Sequence, residues 1–219
     1  MENRIYILKL SDYEADEARL RLFYSWLSVQ KREKLERLRR REDRLRSLIG
    51  DAAVRKLYFE VSGRPPESAE IVFNRYNKPS FPGGYPFNFS ISHSGEYVIC
   101  AVSDDECGAD IEKISLDHGG LHELVCTEYE QRYLERFSGN ERSREFFRLW
   151  TLKESLVKLI GKGLYMDLRK AGFVDEHIRL ISYIDGYNAY SYSDFIGEEY
   201  VLSVCGSGTF RKVTDPELI

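Results

Sequence analysis

No stretch of this 219-residue chain carries an apolar run long enough to cross a bilayer. Met1 to Leu10 also lack the basic flank and long greasy run of a secretory leader, so the cytoplasm is the expected compartment and no membrane partner is expected. Cysteine is scarce and without paired spacing: Cys100, Cys107, Cys126 and Cys205 argue against a zinc site or a disulfide framework and for buried free thiols. Nor do His93, His118, His122 and His177 form a ligand pattern. His118 and His122 stand four apart, but Gly119 and Gly120 lie between them, so the pair reads as loop. Low-complexity linkers and internal repeats are missing too, which leaves no flexible tether and no solenoid.

What is present is an ordinary globular composition, 42% apolar and 31% charged, on a chain long enough for two closely packed parts. Net charge is −4, yet nine basic and four acidic side chains crowd the block from Lys31 to Arg46. Such a block is a solvated helix face or an anion site for phosphates or nucleic acid, and composition does not choose.

Periodicity orders the chain in two rounds of helices and strands. Ile5, Ile7 and Leu8 open with strand character. Ala18, Leu22 and Leu27 follow at helical spacing over Glu14 to Leu27, and Leu35 to Ile49 continue helically until Gly63-Arg64-Pro65-Pro66. Strands are predicted at Glu70–Phe73, Phe87–Ile91, Tyr97–Val102 and Cys107–Ile111. Helices then follow near Thr127–Phe137, opened by a Thr127/Glu130 capping box, and over Arg142–Ile160. Strands return at Arg179–Ile184, Ala189–Tyr192 and Tyr200–Cys205. The class is α+β, divided near residue 105 into 1–105 and 106–219.

Two constellations carry chemistry. In the strand Gly108-Ala109-Asp110-Ile111-Glu112 the acids share one face and Ala109 and Ile111 the other. That is either an amphipathic strand with its acids in water, or a pair of oxygen ligands converging on magnesium. In the helix ending at Ile160, Leu149, Trp150, Leu152, Leu156, Val157 and Ile160 form an apolar arc, with Glu154 and Lys158 projecting opposite beside Thr151 and Ser155. A surface Glu–Lys pair would account for that face. Lys153 would not be so placed: it falls inside the apolar arc and must snorkel or meet an anion.

These residues resemble the signatures of the 4′-phosphopantetheinyl transferase family. Gly108-Ala109-Asp110-Ile111-Glu112 is similar to the first, with Ala109 where Val or Ile is usual, and Trp150 through Lys158 match the second, followed by Gly161-Lys162-Gly163-Leu164. Lys31-Arg32-Glu33-Lys34, Asn77-Lys78-Pro79 and Phe89 to Gly95 resemble the longer single-chain branch that activates nonribosomal peptide and polyketide synthases. The resemblance runs from about Lys31 to Leu164. It implies two similar α+β halves related by a pseudo-twofold axis, the active site in the cleft between them, coenzyme A as substrate, and an apo acyl or peptidyl carrier protein as partner. A monomer is expected, since a single-chain pseudo-dimer has no need to pair.

By the same resemblance Asp110, Glu112 and Glu154 hold magnesium, Lys158 contacts the pyrophosphate, and Lys31, Lys34, Arg46, Lys78, Pro79, Ser92 and His93 gather around the nucleotide. Magnesium keeps several waters, so one acid is free to act through water or as general base to the carrier serine; Glu154 is the first candidate and Glu128 the second. Two other readings remain open: a metal-dependent nuclease, and a non-catalytic module that binds coenzyme A or nucleic acid. Against the first, Lys113 directly follows Glu112 and so faces away from it. Against the second, all three acids are present.

Overall fold

A computed structural model describes residues 2–83, 85–116, 120–163, 166–173, 180–182 and 189–214. Strand β1 (Arg4–Lys9) leads to helices α1 (Glu17–Trp26), α2 (Val29–Arg37) and α3 (Arg41–Ser62). A small hairpin, β2 (Val72–Phe73) and β3 (Pro79–Ser80), precedes β4 (Asn88–Ser94), β5 (Tyr97–Ser103) and β6 (Gly108–Lys113). Helices α4 (Leu121–Val125), α5 (Glu128–Leu134) and α6 (Gly139–Ile160) follow. The chain ends through β7 (Ala171–Phe173), β8 (Leu180–Ser182), β9 (Tyr190–Ile196), β10 (Tyr200–Gly206) and β11 (Arg211–Val213).

The class is α+β, with two principal sheets ordered β11-β1-β5-β4 and β6-β10-β9. All principal pairings are antiparallel except β1 with β11, which run parallel. A strand from beyond residue 105 therefore completes the first sheet. Periodicity missed it because Arg211-Lys212-Val213 is short and two-thirds charged.

The helical run from Leu35 to Ile49 is two helices rather than one. Ser28 caps α2 by accepting the N–H of Lys31 at 3.2 Å, and extended backbone at Leu38 and Arg40 separates α2 from α3. The expected capping box on α5 is present in full, Thr127 and Glu130 each satisfying the other's backbone N–H.

Helix α3 lies over β4 and β5, and α6 over β6 and β10. Ala109 and Ile111 are fully buried in a cluster with Ile5, Ile99 and Leu202, which turns Asp110 and Glu112 to the opposite face of β6. Gly108 is where α6 crosses β6. A Cβ there would stand 2.0 Å from the Ser155 carbonyl oxygen and 2.3 Å from the Leu159 nitrogen, so no other residue permits this approach.

Candidate active site

The acids meet where β4, the edge of the first sheet, runs beside β6, the edge of the second. Ser90, Ser92 and Ser94 alternate on one face of β4 and bond across to β6: the Ala109 N–H donates to Ser90 Oγ at 2.9 Å, Ser92 Oγ donates to Asp110 Oδ1 at 2.7 Å, and Ser94 Oγ donates to Glu112 Oε2 at 3.0 Å. Helix α6 lies over the acids. From it Lys158 Nζ donates to Asp110 Oδ1 at 2.7 Å and to Ser92 Oγ at 2.9 Å.

Asp110 is buried, and its Oδ2 accepts no hydrogen bond. Burial raises the Glu112 carboxyl above its ordinary range and the negative charge of Asp110 raises it further, while hydrogen bonds from Ser94 and Trp150 and the charge of Lys158 hold it back. Glu154 is raised by the same two causes, burial first and Asp110 second. Three acids thus share one field. A hard cation answers both the donorless oxygen and the mutual repulsion, and magnesium needs only one or two direct carboxylates. The donor set fits magnesium, although no ready-made cage of three His, Cys, Asp or Glu side chains stands among the described residues.

The expected nucleotide residues other than Lys34 lie around this centre. Lys31, Arg46, Ser92, His93 and Lys158 line one cavity of about 290 Å³, and Lys78, Pro79, Glu154 and Lys158 line a second, also about 290 Å³. Arg46 bonds the carbonyl of Gly95 and the carboxylate of Asp43. Lys31 pairs with Asp51 at 3.5 Å. Lys78 bonds the Leu159 carbonyl at 2.8 Å and pairs with Glu106, which ties the β2–β3 hairpin to the end of α6. Gly161, at φ +69°, makes room for it: a Cβ there would stand 2.6 Å from Lys78 Cδ. The His93 pKa is lowered by the surrounding protein mass and then by the cations of Arg46 and Lys158. Lys34 stands apart from both cavities, its ammonium 5.4 Å from the centre of the Phe73 ring and lining a third cavity with Lys31.

Four placements differ from the sequence reading. Thr151 and Ser155 do not accompany Glu154 on an open face. Both are fully buried, hydrogen-bonded to Ser203 Oγ at 2.7 Å and Cys205 Sγ at 3.0 Å, because β10 packs beneath that side of α6. Lys158 bonds Asp110 rather than its helical neighbour Glu154. Glu128 stands in solvent with Arg132 at 3.7 Å, and the buried acid of α5 is Glu130. His122 lies on α4 rather than in a loop, and His118 lies outside the described residues, as does Leu164.

Of the two courses open to Lys153 in the apolar arc, to snorkel or to meet an anion, it takes the second. Its ammonium is fully buried against Glu130 Oε2 at 2.7 Å and donates to the Leu168 carbonyl at 3.0 Å. Lys113 points away from the acids to within 5.6 Å of the Tyr200 ring centre, so the strand lacks the acid-and-lysine face of the nuclease alternative. Ser90 and Ser94 were missed. Alternation on β4 could have flagged them, but nothing in the sequence says that β4 lies beside β6.

Comparison with known proteins shows the family. Residues 11–105 match the family described as 4′-phosphopantetheinyl transferase, N-terminal, and residues 106–205 match the 4′-phosphopantetheinyl transferase superfamily. A 4′-phosphopantetheinyl transferase of Bacillus subtilis is 32% identical over 185 residues, 83% of this chain and 82% of the relative. The 4′-phosphopantetheinyl transferase gsp of Aneurinibacillus migulanus is 36% identical over 155 residues, 71% of this chain and 65% of the relative. The 4′-phosphopantetheinyl transferase Sfp of Bacillus subtilis strain 168 is 36% identical over 149 residues, 67% of this chain, and the match spans 65% of that protein's length. With Asp110 and Glu112 on β6 facing Glu154 on α6 and most of its length aligned, this chain belongs to the 4′-phosphopantetheinyl transferase family.

Proposed function

We propose that the protein transfers the 4′-phosphopantetheine arm of coenzyme A to a serine hydroxyl of an apo acyl or peptidyl carrier protein, releasing adenosine 3′,5′-bisphosphate. The observation that carries this reading is the meeting of Asp110, Glu112, Glu154 and Lys158 at the junction of β4, β6 and α6.

Asp110 and Glu112 would hold magnesium, with Glu154 beside them directly or through water; the ion when bound neutralises charge on the pyrophosphate. Lys158 adds a mobile positive charge at the same place and strengthens its contact as negative charge builds on the leaving oxygen. Glu154 takes the proton of the attacking serine; burial and then the charge of Asp110 raise its carboxyl above the ordinary range, which makes it a stronger base. Arg46, Lys31, Lys78, Ser92 and His93 hold the nucleotide phosphates, and burial beside two cations keeps His93 able to donate an N–H without a full charge.

The same reading makes the two parts, 1–105 and 106–219, similar halves about a pseudo-twofold axis with the site in the cleft between them. It makes the protein a cytoplasmic monomer that serves nonribosomal peptide or polyketide carriers and binds no nucleic acid. Of the described residues, no helix is long and apolar enough to cross a membrane. Mass spectrometry of an apo carrier protein incubated with coenzyme A, magnesium and the enzyme tests the activity. A phosphopantetheine mass increase supports the reading. An unmodified carrier, or plasmid degradation under the same conditions, would sink it.

A further inference from the structure

Glu112 is held differently from the other two acids. Asp110 shares its bonds between Ser92 and Lys158, whereas Glu112 Oε2 accepts from Ser94 Oγ at 3.0 Å. Ser94 itself is fixed on both sides. The Lys113 N–H, a free donor on the edge of β6, donates to Ser94 Oγ at 3.0 Å, which occupies an oxygen lone pair and aims the hydroxyl proton at Glu112. The turn that follows is anchored in its own right, because Arg46 reaches from α3 to the Gly95 carbonyl. One hydroxyl therefore reads the position of both the backbone and the carboxylate of β6 from a strand of the other sheet.

We propose that Ser94 is a positioning residue for the metal site: oriented by the Lys113 N–H, its hydroxyl sets the rotamer of Glu112. This rests on the magnesium reading above. Outer partners of ligating carboxylates orient them, and their loss costs metal affinity without removing a ligand. The Trp150 indole, also bonded to Glu112, supports the same carboxylate from α6. Ser94→Ala removes donor and acceptor together, while Ser94→Thr keeps both in a residue that strands accommodate.

Mn2+ is the probe, its binding followed by electron paramagnetic resonance in the presence of coenzyme A. Ser94→Ala should weaken Mn2+ about tenfold and Ser94→Thr should return it to near the wild-type value. Calorimetry without metal should give all three proteins the same coenzyme A affinity, a readout that general loosening of the strand pair would move. In a Glu112→Ala background the Ser94→Ala effect should vanish. Unchanged Mn2+ affinity in Ser94→Ala overturns the proposal while leaving the metal reading intact, provided Asp110→Ala abolishes binding. Wild-type protein that binds no Mn2+ overturns both. Should Ser94→Ala fail to fold, Ser94→Cys, which keeps the volume with a weak donor, takes its place, and wild-type Mn2+ affinity there overturns the proposal equally.

Discussion

Helices α3 and α6 are each 22 residues long, end on a glycine at φ +69°, and lie across a sheet. Both bury a charged pair. In α3 the partners are Asp51 and Arg55, one helical turn apart, with Arg55 also bonding the Pro66 carbonyl at 3.1 Å and that of Ala69, and Lys31 pairing with Asp51. In α6 the buried cation is Lys153 and its anion, Glu130, belongs to α5. The first helix settles its charge mostly within itself. The second can do so only when α5 and Leu168 are in place, and so the helix that carries Glu154 and Lys158 is fixed by tertiary structure.

The largest effect should come from the centre that α6 covers. Asp110→Ala removes the acid bonded to Ser92 and Lys158 and relieves the repulsion on Glu112 and Glu154. Transfer should fall by about three orders of magnitude, roughly 4 kcal/mol of transition-state stabilisation, with the thermal midpoint held or raised. Near-normal turnover at limiting magnesium would remove Asp110 from the site. The matching change on the α3 side, Arg46→Glu, should act mainly on the Michaelis constant for coenzyme A.

Next is the buried pair itself. Lys153→Met leaves Glu130 as an uncompensated charge with no solvent, at a cost of about 3–5 kcal/mol in urea unfolding. Arg55→Met should cost less, on the order of 2 kcal/mol, because Asp51 keeps Lys31. Equal losses would break the distinction between a pair settled locally and one settled across elements.

That distinction also explains what was legible beforehand. Strand β6 and helix α6 could be read because their periods, two and 3.6, are carried by buried aliphatic residues such as Ile111, Leu152 and Leu156. Lys153 stood out by interrupting such a pattern, which left it either to snorkel or to meet an anion. The identity of that anion was not legible, since Glu130 is also a capping-box residue and its sequence signal is spent on that role. Likewise the face of Thr151 and Ser155 resembled a polar surface. Their hydroxyls bond Ser203 and Cys205, some 50 residues away, and local pattern cannot see a partner at that separation. The serines of β4 were hidden for the same reason.

A pH dependence follows from two of the acids at this centre. Glu112 and Glu154 both have raised pKa values in the folded protein, so the folded state binds protons more tightly than the unfolded chain. Their contribution to stability is fully present below the ordinary value of 4.5 and is lost as pH rises through the raised values. Metal-free protein should therefore lose stability across that window, and Glu154→Gln should flatten the decline. Thermal midpoints of the two proteins should converge near pH 4.5 and separate above it, with the variant more stable. Parallel curves would mean that neither burial nor the charge of Asp110 raises the Glu154 carboxyl in the folded protein. Turnover should fall in Glu154→Gln more than coenzyme A affinity does, as a base role requires.

The smallest effect on the fold, and the most selective on function, is expected where neither helix is involved. The apolar residues after β6 could have packed beneath α5 or faced a partner. Val125 takes the first course, buried in the cluster with Leu134 and Phe146, while Leu116 and Leu124 are each 69% exposed and Leu121 is 38% exposed. An exposed leucine is unremarkable singly, but Leu116, Leu121 and Leu124 lie close together in sequence with Tyr129, itself 57% exposed. We propose these side chains as the carrier's docking surface, with Leu121 or Leu124 as the anchor and Gly161-Lys162-Gly163 bordering the approach. Leu124→Glu should change unfolding free energy by less than about 0.5 kcal/mol, because the side chain loses little burial. It should raise the Michaelis constant for the carrier protein while calorimetric coenzyme A binding stays at the wild-type value. Leu121→Glu, at a less exposed position, should cost more stability for a similar loss of carrier use. If Leu124→Glu unfolds the protein or weakens coenzyme A, the leucine belongs to the core. If carrier kinetics are untouched in both variants, the carrier approaches by another face.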